Sequence, residues 1–282
     1  MAATLERAGQ KVVCIAKPGQ EPQGGIRLKS AVFGNFEAHP RVTRVLDIEP
    51  AVLFVTVKAP YLKEALGSVP KDLVKNSVVI PLLNGLGHAE VLREKFGKRV
   101  AVGMIGAIEV KSEKPGYVEH LTPQIPHIEI ASDGDISKSK LEEVAAILKS
   151  TGLNAAILDS EAEVIWRKLV RLNAIASVTA VAQRPVGFIR SDPEWRKLLE
   201  GCVREGSAVA KAEGVAIDQE EVMRQIDALP EDLTTSLQRD VGKGVPSELE
   251  AITGGVLRLA KKHGLVYPKI KSVLDELKKR TA

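Results

Sequence analysis

The chain has 282 residues, of which 44% are hydrophobic and 27% charged. That length points to two domains, and that composition to globular rather than disordered ones. Lys and Arg number 40 against 36 Asp and Glu, a net charge of +4 with 4% aromatics, which calls for neither a nucleic-acid partner nor a base-stacking platform. Cys14 and Cys202 lie far apart and make neither a disulfide framework nor a metal cluster, so a reducing, cytoplasmic setting is expected. No apolar run approaches the roughly 18 residues of a membrane span, and no charged-then-apolar leader opens the chain.

In chain order, residues 1–8 read as a helix ended by Gly9. Residues 11–16 form a short apolar strand that runs into Lys17-Pro-Gly. Further apolar strands are expected at 51–57, 77–82 and 100–105, with helices at 61–66 and 88–95. This alternation implies a mainly parallel sheet covered on both faces, with ligands beyond the carboxyl ends of its strands. Between Tyr117 and Ala131, apolar and polar residues alternate around Pro123 and Pro126, the pattern of an antiparallel hairpin. Residues 137–150 are an amphipathic helix with Leu141, Val144, Ala145 and Leu148 on its apolar face, and 154–158 a last strand.

From Asp159 onward no strand pattern is present. Residues 160–183 read as one long helix, and the stretch 172–183 carries no charge, so it should be buried nearly all round. Helices follow at 193–213, 219–228, 248–263 and 269–279, with Gly264 and Pro268 punctuating the last two. The chain therefore divides into an α/β domain over residues 1–158 and an all-helical domain over residues 159–282.

Several residues invite a chemical reading beside a structural one. Asn84-Gly-Leu-Gly87 follows a strand directly; it is a tight turn, or a place where backbone approaches a ligand. Lys168 borders the stripe of Ile165, Leu169, Leu172 and Ala176. Such a lysine snorkels to water, unless it faces a cleft where desolvation lowers its pKa and makes it a proton donor. Glu248 lies beside Ser247 and Glu250, whose spacing is that of a capping box, so helix capping is enough to account for it. Ser236 likewise reads as an N-cap. Lys17 ends a strand where a basic residue suits the 2′-phosphate of NADP and an acidic one the 2′-hydroxyl of NAD.

Taken together, these residues resemble the ketopantoate reductases (2-dehydropantoate 2-reductases) nearly end to end. The likeness runs through Asn84-Gly-Leu-Gly87, Lys114-Pro-Gly116, Trp166-Arg-Lys-Leu169, Thr179-Ala180, Ser236-Leu-Gln-Arg-Asp240, Ser247-Glu-Leu-Glu-Ala-Ile-Thr-Gly254 and Gly264-Leu-Val-Tyr-Pro268. The resemblance implies an α/β Rossmann-type NADP-binding domain followed by an all-α domain of the 6-phosphogluconate-dehydrogenase-like type, with the active site in the cleft between. It implies hydride transfer from NADPH to 2-dehydropantoate, giving pantoate for pantothenate and coenzyme A synthesis. In that picture Lys168 is the catalytic lysine that protonates the developing alkoxide. Glu248 takes the substrate hydroxyl, Ser236 holds substrate, and Asn84 stands near both nicotinamide and substrate. Lys17 and Lys58 are cofactor-side cations. The expected partner is a small 2-keto acid, with no metal, no nucleic acid and no membrane; the resemblance also leaves room for a homodimer through the helical domain, which the residues themselves do not encode.

Two departures qualify the match. The family opens with a strand and Gly-x-Gly-x-x-Gly, and this chain has neither; about fifteen residues of strand and loop are expected to be absent. Weak NADPH binding is then expected, and the rival reading is a non-catalytic remnant that acts as a binding protein. Second, the family carries substrate-facing asparagines after the lysine. Alignment on Lys168 and Thr179-Ala180 puts Leu172 and Ser177 at two of those positions, displaces Asn173 by one, and leaves Val186 at a third. A shift of one residue on a helix turns a side chain by about 100°. Asn173 and Ser177 stay substrate-side candidates, and a related dehydrogenase of another 2-keto acid stays open.

Overall fold

The computed structural model describes residues 1–22, 24–106 and 108–281. Helix α1 (Ala2–Arg7) is followed by β1 (Val13–Ile15), β2 (Ile26–Ser30), β3 (Phe36–Ala38) and β4 (Arg41–Thr43). The last three are absent from the sequence reading. In β2, exposed Arg27 and Lys29 alternate with buried Leu28 and Ser30, so too few apolar residues mark the strand. Next come β5 (Val52–Val55), a 3-10 turn (Ala59–Tyr61), α2 (Leu62–Leu66), a second 3-10 turn (Lys71–Val74) and β6 (Val78–Pro81). Helix α3 (His88–Phe96), β7 (Val102–Gly106), β8 (Val110–Lys111), β9 (Tyr117–His120), β10 (His127–Ala131), α4 (Lys138–Ser150) and β11 (Asn154–Ile157) complete this part.

Among the described residues the strands pair as four short sheets rather than one mainly parallel sheet. Strands β5 and β6 are parallel, and a parallel bridge from Val79 to Val100 carries the pairing toward β7. There β10 lies antiparallel to β7 and parallel to β11. The hairpin expected over 117–131 does not form. Instead β9 pairs with β2 and β8, whereas β10 pairs with β7 and β11. Pro123 and Pro126 lie between β9 and β10, and a proline has no N–H to extend a ladder. Helix α4 is capped by Ser137, whose hydroxyl accepts from Lys140 N–H at 3.3 Å. Its apolar face, Leu141, Val144, Ala145 and Leu148, buries against Ile80, Ile128 and Ile130. Each buried Leu, Ile or Val side chain there stabilises the fold by roughly 1.5–3 kcal/mol.

The remaining elements are all helices: α5 (Glu161–Ala182), α6 (Val186–Ser191), α7 (Pro193–Ala212), α8 (Gln219–Asp227), α9 (Ser236–Gly242), α10 (Leu249–Lys262) and α11 (Pro268–Thr281). The short helix α6 is not foreseen in the sequence, and α9 is foreseen only through the N-cap reading of Ser236. Every residue of α5 from Asn173 to Val181 is buried, as the uncharged stretch requires. Trp166, Leu169 and Val170 of α5 share a core with Leu199 and Val203 of α7, Ile252 and Val256 of α10, and Ile270 and Leu277 of α11. No described helix is long and apolar enough to cross a membrane.

Contacts group residues 1–56, 63–82 and 89–161 into one unit. The described residues from Ala162 onward form the other, together with the short segments Val57–Leu62 and Leu83–His88. In the helical unit, buried Glu205 of α7 accepts from the N–H groups of Lys269 and Ile270 at 2.9 and 2.8 Å, and so caps α11. Glu205→Ala leaves both donors without that acceptor. It should cost about 2–3 kcal/mol in urea unfolding, and a loss below about 0.5 kcal/mol would show the cap to be dispensable.

Candidate active site

The turn after β6 belongs to the helical unit. Gly85 and Gly87 take φ of +93° and +90°, a region that favours glycine. At Gly85 the backbone passes so close to α10 that a Cβ would overlap the Ala251 carbonyl. Leu86 N–H donates to that same oxygen at 2.9 Å. The turn is therefore seated on the first turn of α10, and Asn84 stands at its start.

Asn84 joins two charged side chains. Lys168 Nζ donates to Asn84 Oδ1 at 2.9 Å, and Asn84 Nδ2 donates to Glu248 Oε2 at 3.0 Å. Only one orientation of the amide serves both partners, because an ammonium must meet the oxygen and a carboxylate must meet the N–H₂. Glu248 is only 8% exposed. Lys168 projects from α5 beside buried Trp166 and Leu169. Burial lowers the Lys168 pKa, the Glu248 charge pulls it back up, and Arg171 one turn on lowers it further; it settles at about 8. An ammonium so poised is mostly protonated at neutral pH, yet gives up its proton readily.

Glu248 stands at the N-cap position of α10 but makes no side-chain cap bond, and the Ser247–Glu250 capping box does not form. Glu250 instead pairs with Lys278 at 2.8 Å and with Arg258 at 3.4 Å. Ser236 is an exposed first residue of α9, not its cap. Thr235 takes that role and accepts from Gln238 N–H at 3.1 Å. Lys58 donates to both carboxylate oxygens of Asp240, on α9, at 3.0 and 2.8 Å.

Asn84, Lys168 and Glu248 thus come together. Asn173 and Ser177 lie further along α5 in a buried stretch. Neither amide atom of Asn173 has a hydrogen-bond partner among the described residues, and Ser177 Oγ donates to the Asn173 carbonyl at 2.6 Å. Lys17, in the other unit, leaves β1 and pairs with Glu64 at 2.7 Å. Sequence reasoning assigned no role to Asp240 or Arg171. Asp240 lies four residues after Ser236 and Arg171 three after Lys168, spacings that put each pair on one helix face. Among the described residues no cluster of three metal-ligating side chains occurs.

Two family models match the chain. Ketopantoate reductase PanE/ApbA covers residues 1–132, and ketopantoate reductase PanE/ApbA C terminal covers residues 162–281. The chain is 30% identical over 205 residues to the 2-dehydropantoate 2-reductase of Halobacterium salinarum, across 71% of this chain and just under two thirds (66%) of that relative. It is similar in structure to the 2-dehydropantoate 2-reductase of Geobacter metallireducens, with a TM-score of 0.89 and 24% identity over 99% of this chain and 94% of that one. It is also similar to D-mandelate dehydrogenase in a ternary structure with NADH and anilino(oxo)acetate, with a TM-score of 0.88 and 21% identity over the same shares, 99% and 94%. At these identities the two structural likenesses establish the fold.

The Lys168 shift carries a stability signature. Its folded pKa of about 8 lies below the ordinary lysine value of 10.5. Between those two values the unfolded chain holds the proton that the folded chain has released. Stability must therefore rise with pH across that window. Denaturant unfolding of wild type and Lys168→Met from pH 7 to 11 should show this rise as a difference between the two proteins. Parallel curves would mean that Lys168 titrates normally.

Proposed function

The chain belongs to the ketopantoate reductase PanE/ApbA family of oxidoreductases, and from that membership we propose that it reduces 2-dehydropantoate to pantoate with NADPH, a step toward pantothenate and coenzyme A. The observation that carries the proposal is the chain of hydrogen bonds from Lys168 through Asn84 to Glu248. It sets a proton donor of near-neutral pKa beside a carboxylate able to accept a substrate hydroxyl.

A nicotinamide dinucleotide fits the residues present. Nothing stands within 4 Å of where a Cβ would lie at Gly87, so bare backbone beside Asn84 is open to close approach. We assign Lys17, Lys58 and Asn84 to the cofactor; the two cations support NADPH over NADH, since the 2′-phosphate is what a basic strand end suits. A reduced nicotinamide, when bound, supplies the hydride to the keto carbon. Lys168 polarises the keto oxygen and donates its proton as that oxygen gains charge. Asn84 Oδ1 holds the ammonium in place while another of its three N–H donors meets the substrate. Glu248 accepts from the substrate hydroxyl, and the Ser236 hydroxyl adds a further hydrogen bond.

Reduction of another 2-keto acid is the second reading, and one observation favours it. Leu172 packs against the helical core and Ser177 turns its hydroxyl to the Asn173 carbonyl, so this stretch of α5 offers an incoming substrate few polar partners. A panel of 2-keto acids separates the two: at least tenfold higher kcat/KM for ketopantoate supports the first, and a preference for a different acid supports the second.

Lys168→Ala should lower kcat by about 10²–10⁴-fold, as loss of a general acid does; turnover near wild type would contradict its role. The rate of reduction should be level below about pH 8 and fall tenfold per unit above it, because the protonated lysine is the active form. Pantoate oxidation should show the opposite slope. Arg171→Gln should move the break to higher pH, and an unmoved break would remove Arg171 from the account.

A further inference from the structure

We propose that His88 is a positioning residue for this site, acting through the Asn84 main chain to hold the amide that joins Lys168 to Glu248. The inference rests on the reading of Lys168 as proton donor. His88 is the first residue of α3, is 8% exposed, and sets its ring Nε2 2.7 Å from the Asn84 carbonyl oxygen. A carbonyl oxygen can only accept, so Nε2 carries the hydrogen and donates.

The bond closes a loop of five residues, Asn84 to His88, around the most pliable stretch of the site. Gly85 and Gly87 lack the Cβ that would restrict them, and both sit at positive φ. A turn of this kind keeps one shape only if something outside it is fastened to it. Leu86 N–H on the Ala251 carbonyl fastens its middle to α10. His88 fastens its start, the one residue whose side chain carries the charged pair.

The demand on Asn84 is strict. Its Oδ1 must stay near 2.9 Å from Lys168 while its Nδ2 stays near 3.0 Å from Glu248. A shift of the Asn84 main chain would carry its Cα–Cβ bond with it and lengthen both bonds together. The ammonium would then lose an acceptor that favours its charged form, so it would release its proton at lower pH. Fewer molecules would hold donor and carboxylate aligned. Turnover should fall more than substrate binding.

The test compares His88→Ala, His88→Gln and His88→Asn with wild type in the full chain. A glutamine amide nitrogen reaches about as far as imidazole Nε2, whereas that of asparagine reaches only as far as Nδ1. His88→Ala should lower kcat by about 10–100-fold with KM within about threefold, the pattern of a misplaced catalytic group. Its alkaline break should move down by about half a pH unit or more. In ¹⁵N-labelled protein without substrate, the Asn84 side-chain amide resonance should shift or broaden. His88→Gln should restore all three properties and His88→Asn should not.

The proposal is overturned if His88→Ala keeps wild-type kcat, break and Asn84 resonance. It is also overturned if glutamine and asparagine rescue equally, a comparison that stands even where the alanine variant fails to fold. Should wild type leave ketopantoate unreduced, the functional reading fails, and the Asn84 resonance across the three variants still decides the role of His88.

Discussion

A neutral amide stands between an ammonium and a carboxylate, and the chemistry of the site follows from that spacing. Two unit charges about 4 Å apart attract by about 4 kcal/mol at an effective dielectric of 20, and by about half of that at twice the distance. A direct Lys168–Glu248 pair would therefore hold the proton on lysine more tightly. With Asn84 interposed, the attraction weakens and burial prevails, which is why Lys168 settles at about 8 and not above its ordinary value. The amide also gives each charged group a hydrogen-bond partner, so neither is buried without one.

The three groups are distant in sequence: Lys168 is 84 residues from Asn84, and Glu248 is 164. What brings them together is backbone geometry. Gly85 can lie against the Ala251 carbonyl only because it has no Cβ, and Leu86 N–H then bonds to that oxygen. Helix α5 supplies Lys168 from a core-packed position. Glu248 begins α10 with its side chain left out of the helix cap and accepting from Asn84 Nδ2 instead.

Much of the fold was legible in the residues because its signals are local. The charge-free run after Leu172 called for a helix buried all round, and Ser137 marked the start of α4. Pairing was not legible, since the partner of a strand is a long-range fact. Strands β9 and β10 look like one hairpin in sequence and belong to different sheets, and polar β2 is a strand because Tyr117–His120 and Phe36–Ala38 lie beside it. At the site, only the family resemblance pointed to a common role for Asn84, Lys168 and Glu248, since singly they read as a turn, a snorkelling lysine and a helix cap; the bridging part of Asn84 depends on amide orientation, which no spacing encodes. Ser236 read as the cap of its helix, but the structure gives that role to the adjacent hydroxyl of Thr235. The isolation of Asn173 within α5 was equally hidden, because an asparagine one residue from an expected polar position looks displaced rather than enclosed.

The most direct test is the titration of the Lys168 side chain by ¹³C NMR of lysine-labelled enzyme, assigned by its loss in Lys168→Arg. The account predicts a midpoint near 8 that falls further in Glu248→Gln, since removing the carboxylate leaves burial unopposed. A midpoint near the ordinary lysine value of about 10.4, unmoved by Glu248→Gln, would contradict it.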